Sequence, residues 1–349
     1  MNDTLTILLT CCLGDYMKGT ISCYKNNPTG IKVRIVGTDM NPMKYNFTGV
    51  DTFYRVSACT ESTYIAEILG ICKVEGVNVV IPCNTKELEL FALNKEEFEK
   101  IGTTVLVSSL ASLHIANDKI RSHEFFKAMN IPTPRTLVTR SYDEFNAFLD
   151  KNKDFIFCFK KRKDCGARGF RIIRKFSSVM LDGKPTGVDV WHSELKAAFN
   201  DEEEYLIQEY LPGDEYTVDC VVNNGYPLYS VCKKNSNMEN GVARVSEVVD
   251  NEECIEMCEM VCKLLSLHGN IGFDLKCNKN GKPFIIDINP RLTATVSLAS
   301  KAGINLPWYA VKIALGWGLN KEEKKPVYGT KLIRKISDYF IDEEGNDIE

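Results

Sequence analysis

Apolar positions in the first third of the chain fall into short blocks of two different periods. Residues 5–10 form a compact apolar run, residues 32–37 are rich in β-branched side chains, and VNVVIP at 77–82 repeats the theme. Within 62–75, Ile65, Ile68, Leu69 and Cys72 recur at helical spacing and share one face. Strands alternating with helices predict βαβ units and a parallel sheet.

The pattern changes near residue 115. Residues 115–130 read as one amphipathic helix, ended by Ile131-Pro132-Thr133-Pro134. Strands follow at 135–139, 155–160 and 169–174, with a helix over 142–152. The polar stretch 175–193 reads as a hairpin or a surface insertion. From Tyr205 the strands YLIQEYL, EYTVDCVV, YPLYSVCKK and ARVSEVV lead to a helix at 252–267, then IGFDLK and PFIIDIN. A last helix at 307–316 precedes a charged tail. The chain thus divides into an α/β unit at 1–115, a small α+β unit at 116–204 and a larger one at 205–349.

Composition narrows the chemistry. At 349 residues and 44% apolar content, two or three packed units are expected. The formal charge of −4 gives no basic footprint for nucleic acid. Fourteen cysteines form no CxxC pair and the four histidines stand apart. Cys254, Cys258 and Cys262 share a helix face and read as small apolar core residues. So many unpaired thiols favour a reducing cytosol. No run approaches the roughly 18 apolar residues that span a bilayer, and the N-terminus lacks a signal pattern, so no membrane partner is expected. The first turn reads Cys11-Cys12-Leu13-Gly14-Asp15 and not GxGxxG, so Asp39 after the second strand gives only weak support for dinucleotide binding.

The strongest chemical signal is Gly272-Phe273-Asp274 followed by Phe284-Ile285-Ile286-Asp287-Ile288-Asn289-Pro290-Arg291, joined by the turn-like Asn278-Lys279-Asn280-Gly281. An antiparallel pairing brings Asp274 across from the second strand, whose Asp287 and Asn289 share one face. Two anionic oxygen ligands and one neutral one suit Mg²⁺, with Mn²⁺ accepting a similar set. Asp287 lies among core-type residues and needs a partner there. Arg291 sits two residues past Asn289 and shares its face if the strand continues, a cation placed for charge that develops on a reacting group.

The run DINPRLTATVSLASKAG resembles the metal- and phosphate-binding segment of ATP-grasp enzymes, most of all the branch containing the carbamoyl-phosphate synthase large subunit and pre-ATP-grasp carboxylate–amine ligases. That resemblance implies a Rossmann-like pre-ATP-grasp domain followed by a two-lobed ATP-grasp fold. It implies that Lys119 and Lys160 reach the phosphates of ATP, beneath a cover formed by the loop of Gly166, Arg168 and Gly169. It implies that Gln208 reads adenine through its side chain, Glu209 and Leu211 through their backbone, and that Glu215 holds the ribose. Lys161-Arg162-Lys163-Asp164 departs from the family pattern, and its cations face an anionic substrate or solvent. Asp287 stands where relatives usually carry glutamate. One cation among Lys233, Lys234 and Arg244 faces an acyl phosphate; Lys233 and Arg244 join Arg291 as catalytic candidates.

The resemblance implies an ADP-forming ligase that joins a small-molecule carboxylate to an amine and forms a homodimer. Phosphorylation of bicarbonate or carbamate is the alternative, and an inactive ATP-binding protein a further one. The acceptor pocket is expected around residues 12–15, 83–87 and 293–297.

Overall fold

The computed structural model describes residues 4–43, 45, 48–162, 170–174, 180–181, 184–185, 189–199, 203–239, 241–319, 324–335 and 340. Its N-terminal unit is a five-stranded parallel sheet, ordered Thr52–Arg55, Lys32–Asp39, Thr4–Leu9, Val79–Ile81 and Thr104–Val105. Alternation divides its faces. Leu8, Val36 and Val80 pack with Ile68, Phe91 and Phe98, while Ile7, Leu9 and Ile35 look the other way. That second face shares one core with Val221, Val231, Trp308 and Val311, so the first and third units are packed into one body.

Asp39 is not free for a ribose. It is buried, accepting from Leu13 N–H at 3.3 Å and Asn41 N–H at 2.9 Å, and so ties the first turn to the sheet.

The helix expected over 115–130 is two helices, Leu110–Ala116 and Lys119–Ala128. Asp118 interrupts it by taking extended backbone and accepting from Ile120 and Arg121 N–H, an N-cap in mid-pattern.

The second sheet is ordered Asp189–Trp191, Arg171–Arg174, Phe157–Lys161, Tyr205–Glu209 and Thr136–Thr139. Helix Tyr142–Lys151 covers it, putting Phe145 and Leu149 against Phe157, Phe159, Tyr205 and Ile207. Strand Tyr205–Glu209 therefore belongs to the small lobe, and the boundary set at 204 moves to the turn after it. Gly213 is required in that turn: a Cβ there would approach Cys277 and Asn278 carbonyl oxygens at 2.8 and 2.7 Å. The hairpin expected within 175–193 is seen as Met180–Leu181 pairing with Lys184–Pro185.

The third sheet is antiparallel, ordered Pro283–Asn289, Gly269–Cys277, Glu215–Asn223, Tyr226–Glu239, Val242–Val248 and Lys331–Ile333. Helix Glu252–Leu264 packs on one face, with Cys254, Cys258 and Cys262 in its core as expected. Every described cysteine is a free thiol. Among the described residues no helix is long and apolar enough to cross a membrane.

Candidate active site

The exposed end of the third sheet's other face is polar. Asp274 lies opposite both Asp287 and Thr217, Gly272 opposite Asn289 and Asp219, and Glu215 opposite Lys276 and Asn235. Cross-strand partners project to the same side, so this register collects the carboxylates. A bulge between Asp274 and Leu275 gives the second strand an extra residue, Ile286, which lines a pocket beside Asp287. Gly272 makes room: a Cβ there would collide with the Thr293 methyl.

Both oxygens of Asp274 are engaged, by Thr217 Oγ1 at 3.0 Å and Asn289 Nδ2 at 2.9 Å. Burial pushes its carboxyl up to about 6, with the charges of Asp287 and Glu215 adding to the effect. Two facing carboxylates of which one resists ionisation call for a cation. In this structure Lys119 answers Asp287, its Nζ 3.0 Å from both oxygens.

Arg291 does not continue the strand. Pro290 begins a bend, yet the guanidinium returns, donating to Asn289 Oδ1 at 3.2 Å and to Thr85 Oγ1 of the N-terminal unit at 2.9 Å. Hydrogen bonds run onward from the carboxylates through Thr217, Asn235 and Ser246, none of which the sequence pattern singled out. Thr217 could have been found, since it follows Glu215 at the spacing that keeps one strand face.

Lys160 donates to Gln208 Oε1 at 2.7 Å, and burial pushes its ammonium down. The other end of the Gln208 amide donates to Thr136 Oγ1 at 3.3 Å. Glu209 N–H donates to Arg135 O and Tyr210 N–H to Ile156 O, so the strand leaving this sheet keeps those two amides paired. Glu215 accepts from Lys276 Nζ at 3.2 Å. Lys119, His123, Phe126, Pro134, Gln208 and Asp287 help to line a small pocket open to solvent.

Three expectations need correction. Lys233 is fully buried, its Nζ held by Asp219, Thr295 Oγ1 at 2.6 Å and Thr293 Oγ1 at 3.4 Å. No face of it is left for a substrate. Arg244 is half-exposed on the strand Val242–Val248, and its guanidinium is paired with Glu239. Arg162 is spent on Asp118 at 2.7 Å and Glu204 at 2.6 Å, which accounts for one of the surplus cations structurally. Gly166, Arg168 and Gly169 lie outside the described residues, as do Lys163 and Asp164. Among the described residues no group of three or more His, Cys, Asp or Glu side chains is poised for a metal; the candidate set has two carboxylates and an amide.

Residues 201–336 match the family described as "ATP-grasp in the biosynthetic pathway with Ter operon", and residues 8–106 match the PylC-like N-terminal domain. Residues 201–336 thus match an ATP-grasp family, and the chain as a whole is similar to ATP-grasp proteins in fold. It is similar to the carbamoyl phosphate synthase large chain of Clostridium acetobutylicum, with 22% identity across 87% of this chain and 28% of that protein. A second relative is the 3-methyl-D-ornithine–L-lysine ligase of Methanosarcina barkeri, 28% identical over 36% of this chain and 32% of that one. Among solved structures, biotin carboxylase from Campylobacter jejuni superposes with a TM-score of 0.66 at 16% identity, covering 93% of this chain and 73% of that one. The chain spans 22–29% of the length of several synthase large chains that it matches.

Proposed function

We propose that the chain is an ADP-forming carboxylate–amine ligase. The observation that carries this reading is the facing pair Asp274 and Asp287, with Asn289, on a single sheet surface, where Lys119 meets Asp287 from a neighbouring helix and Arg291 meets Asn289 from the bend after the strand. This donor set fits a hard divalent cation: oxygen ligands, net negative charge, and a carboxyl that ionises reluctantly without one. Asp274, Asp287 and Asn289 would hold Mg²⁺ or Mn²⁺, which when bound supplies neutralisation of phosphate charge.

In this structure Lys119 is paired with Asp287 and Lys160 with Gln208, and binding of ATP phosphates would part both contacts. Both ammonium groups are then released toward the phosphates. Gln208, the Glu209 carbonyl and Leu211 N–H would take the adenine, Glu215 the ribose, and the loop of Gly166, Arg168 and Gly169 would cover the phosphates. A carboxylate oxygen attacks the γ-phosphorus, the bond to the bridging oxygen breaks, and ADP leaves. Arg291 stabilises the charge developing on the phosphoryl oxygens. An amine then attacks the acyl carbon, phosphate departs, and the amine's surplus proton is lost to solvent. The likeness to an ornithine–lysine ligase favours an amino acid as a substrate. The likeness to synthase large chains favours bicarbonate or carbamate instead and is the second reading.

Free thiols suit a reducing compartment, and we place the protein in the cytosol. The homodimer rests on family likeness alone. The test is Mg²⁺-dependent ADP release with pooled amino acids and hydroxylamine present. ADP with a hydroxamate is expected; ADP with bicarbonate alone selects the second reading, and AMP defeats both.

A further inference from the structure

Residues 83–87 leave the parallel sheet after strand Val79–Ile81 and are pinned by a carboxyl that the mechanism does not use. Glu87 is buried. Its Oε1 accepts from the Thr10 hydroxyl and from Cys83 N–H and Asn84 N–H, both at 2.9 Å, while Oε2 accepts from the Tyr64 hydroxyl at 2.6 Å. Asn84 caps the turn, its side chain accepting from Lys86 N–H at 3.1 Å. Between these fixed residues Thr85 presents its Oγ1 to the third unit and accepts from Arg291 Nε at 2.9 Å.

The bend that carries Arg291 is pinned from its own side as well. Thr293 donates to buried Asp219 at 2.7 Å, and Lys233 donates to Thr295 Oγ1 at 2.6 Å. The guanidinium is held at all three nitrogens: Nε by Thr85, one terminal nitrogen by Leu292 O at 2.9 Å and the other by Asn289 Oδ1 at 3.2 Å. A planar fork fixed at three points has its plane and rotation set. Leu292 is the next residue along the chain and Asn289 lies on the catalytic face, so Thr85 is the point that the N-terminal unit supplies. Three of the five N–H donors are spent, and each terminal nitrogen keeps one without a partner among the described residues. Two adjacent donors on a planar cation suit a phosphoryl group, which takes them as a pair. Without the Thr85 contact the fork could turn about its last side-chain bonds, spreading those donors over several directions.

We propose that Thr85 is a positioning residue: its hydroxyl, clamped through Glu87, aims the two free donors of Arg291 at the transferred phosphoryl group. The N-terminal unit thereby forms part of the catalytic arrangement. This rests on the ligase reading, which gives Arg291 its phosphoryl group, and adds the residue that orients it. Thr85 touches no reacting atom. It acts through Arg291, so its effect is conditional on the arginine.

The test is calorimetric binding of orthovanadate, a stand-in for the phosphoryl group, to the full chain loaded with ADP and Mg²⁺. Arg291→Met should weaken vanadate by about tenfold or more and Thr85→Val by about tenfold, with ADP affinity within about twofold of wild type in each. Thr85→Ser keeps the hydroxyl and should stay within about threefold. In the Arg291→Met background, Thr85→Val should change vanadate affinity by less than about twofold. Retained ADP binding shows that the variants are folded. Four results overturn the proposal: full vanadate affinity in Thr85→Val, a Thr85→Ser loss equal to that of Thr85→Val, an undiminished Thr85→Val loss once Arg291 is gone, or an ADP complex that binds no vanadate. Because no turnover is read, Thr85-dependent vanadate binding without ADP release or hydroxamate would defeat the ligase reading and leave the positioning role standing.

Discussion

The two faces of the six-stranded sheet are built by alternate residues of the same strands, and they differ in almost every respect. One face carries Val218, Cys220, Cys232, Phe273, Leu275 and Ile288, sealed against the cysteine-bearing helix. The other carries Thr217, Asn235, Asp274 and Asn289 in a hydrogen-bonded ladder, flanked by Glu215 held by Lys276 and Asp219 held by Thr293. The first face stores stability and needs only apolar volume; thiols serve it as well as methyl groups. The second brings two carboxylates face to face, an arrangement that costs folding free energy and is answered in this structure by Lys119. Asp274 and Phe273 are chain neighbours with opposite duties. The period of two does the sorting, reset once by the bulge at Ile286.

The comparison is broken most sharply at Asp287. Asp287→Ala should lower turnover by about a thousandfold, roughly 4 kcal/mol, while changing the unfolding free energy by no more than about 1 kcal/mol. Steady-state ADP release and urea unfolding of the same preparation check both halves. A comparable loss of stability would mean that the carboxylate is structural.

Lys233 is the exception on the polar face, and it sharpens the rule. Removing one member of a buried ion pair leaves the other uncompensated, so Lys233→Met should destabilise by about 3 kcal/mol. Adding Asp219→Asn should recover part of the loss. If Lys233→Met instead unfolds like wild type but loses turnover, the lysine reaches substrate after all.

On the apolar face, Cys258→Ser should cost about 2 kcal/mol, more than Cys258→Ala, because burying a hydroxyl among apolar side chains costs more than burying a methyl group. Turnover per folded molecule should be unchanged in both. Equal stabilities would mean that the thiol cluster offers hydrogen bonds and is not simply apolar.

The smallest effect concerns pH. Burial, with Lys95 nearby, pushes His268 down to about 4, and Asn224 N–H donates to its Nδ1 at 3.2 Å. The unfolded chain therefore takes up a proton between about 6.5 and 4 that the folded one refuses, and stability falls as pH drops through that window. Asp274 acts in the opposite sense, its raised value making the folded state bind the extra proton. Unfolding curves from pH 7 to 4 for wild type and His268→Gln separate the two. The variant should lose less stability on acidification, by about 1–2 kcal/mol.

Much of this site was legible in the sequence, for local reasons. The spacing of Asp287 and Asn289 fixes a shared face, and the turn-forming Asn278–Gly281 stretch fixes which strand opposes them. The alternating blocks near the N-terminus likewise fix a parallel sheet. What could not be read depends on chain-distant partners. Lys233 is buried by Thr293 and Thr295, some sixty positions away. Arg162 looked like free charge until Asp118 and Glu204 were folded onto it. Tyr205–Glu209 has no local mark saying which lobe it joins; only its pairing with Phe157–Lys161 and Thr136–Thr139 decides.

The central claim is that a carboxylate is activated as an acyl phosphate on the polar face. Its most direct test is turnover of amino acids labelled with ¹⁸O in the carboxyl group, followed by mass analysis of the phosphate released. The account predicts one labelled oxygen in inorganic phosphate for each ADP formed. Unlabelled phosphate alongside product, or label recovered in AMP, would contradict it.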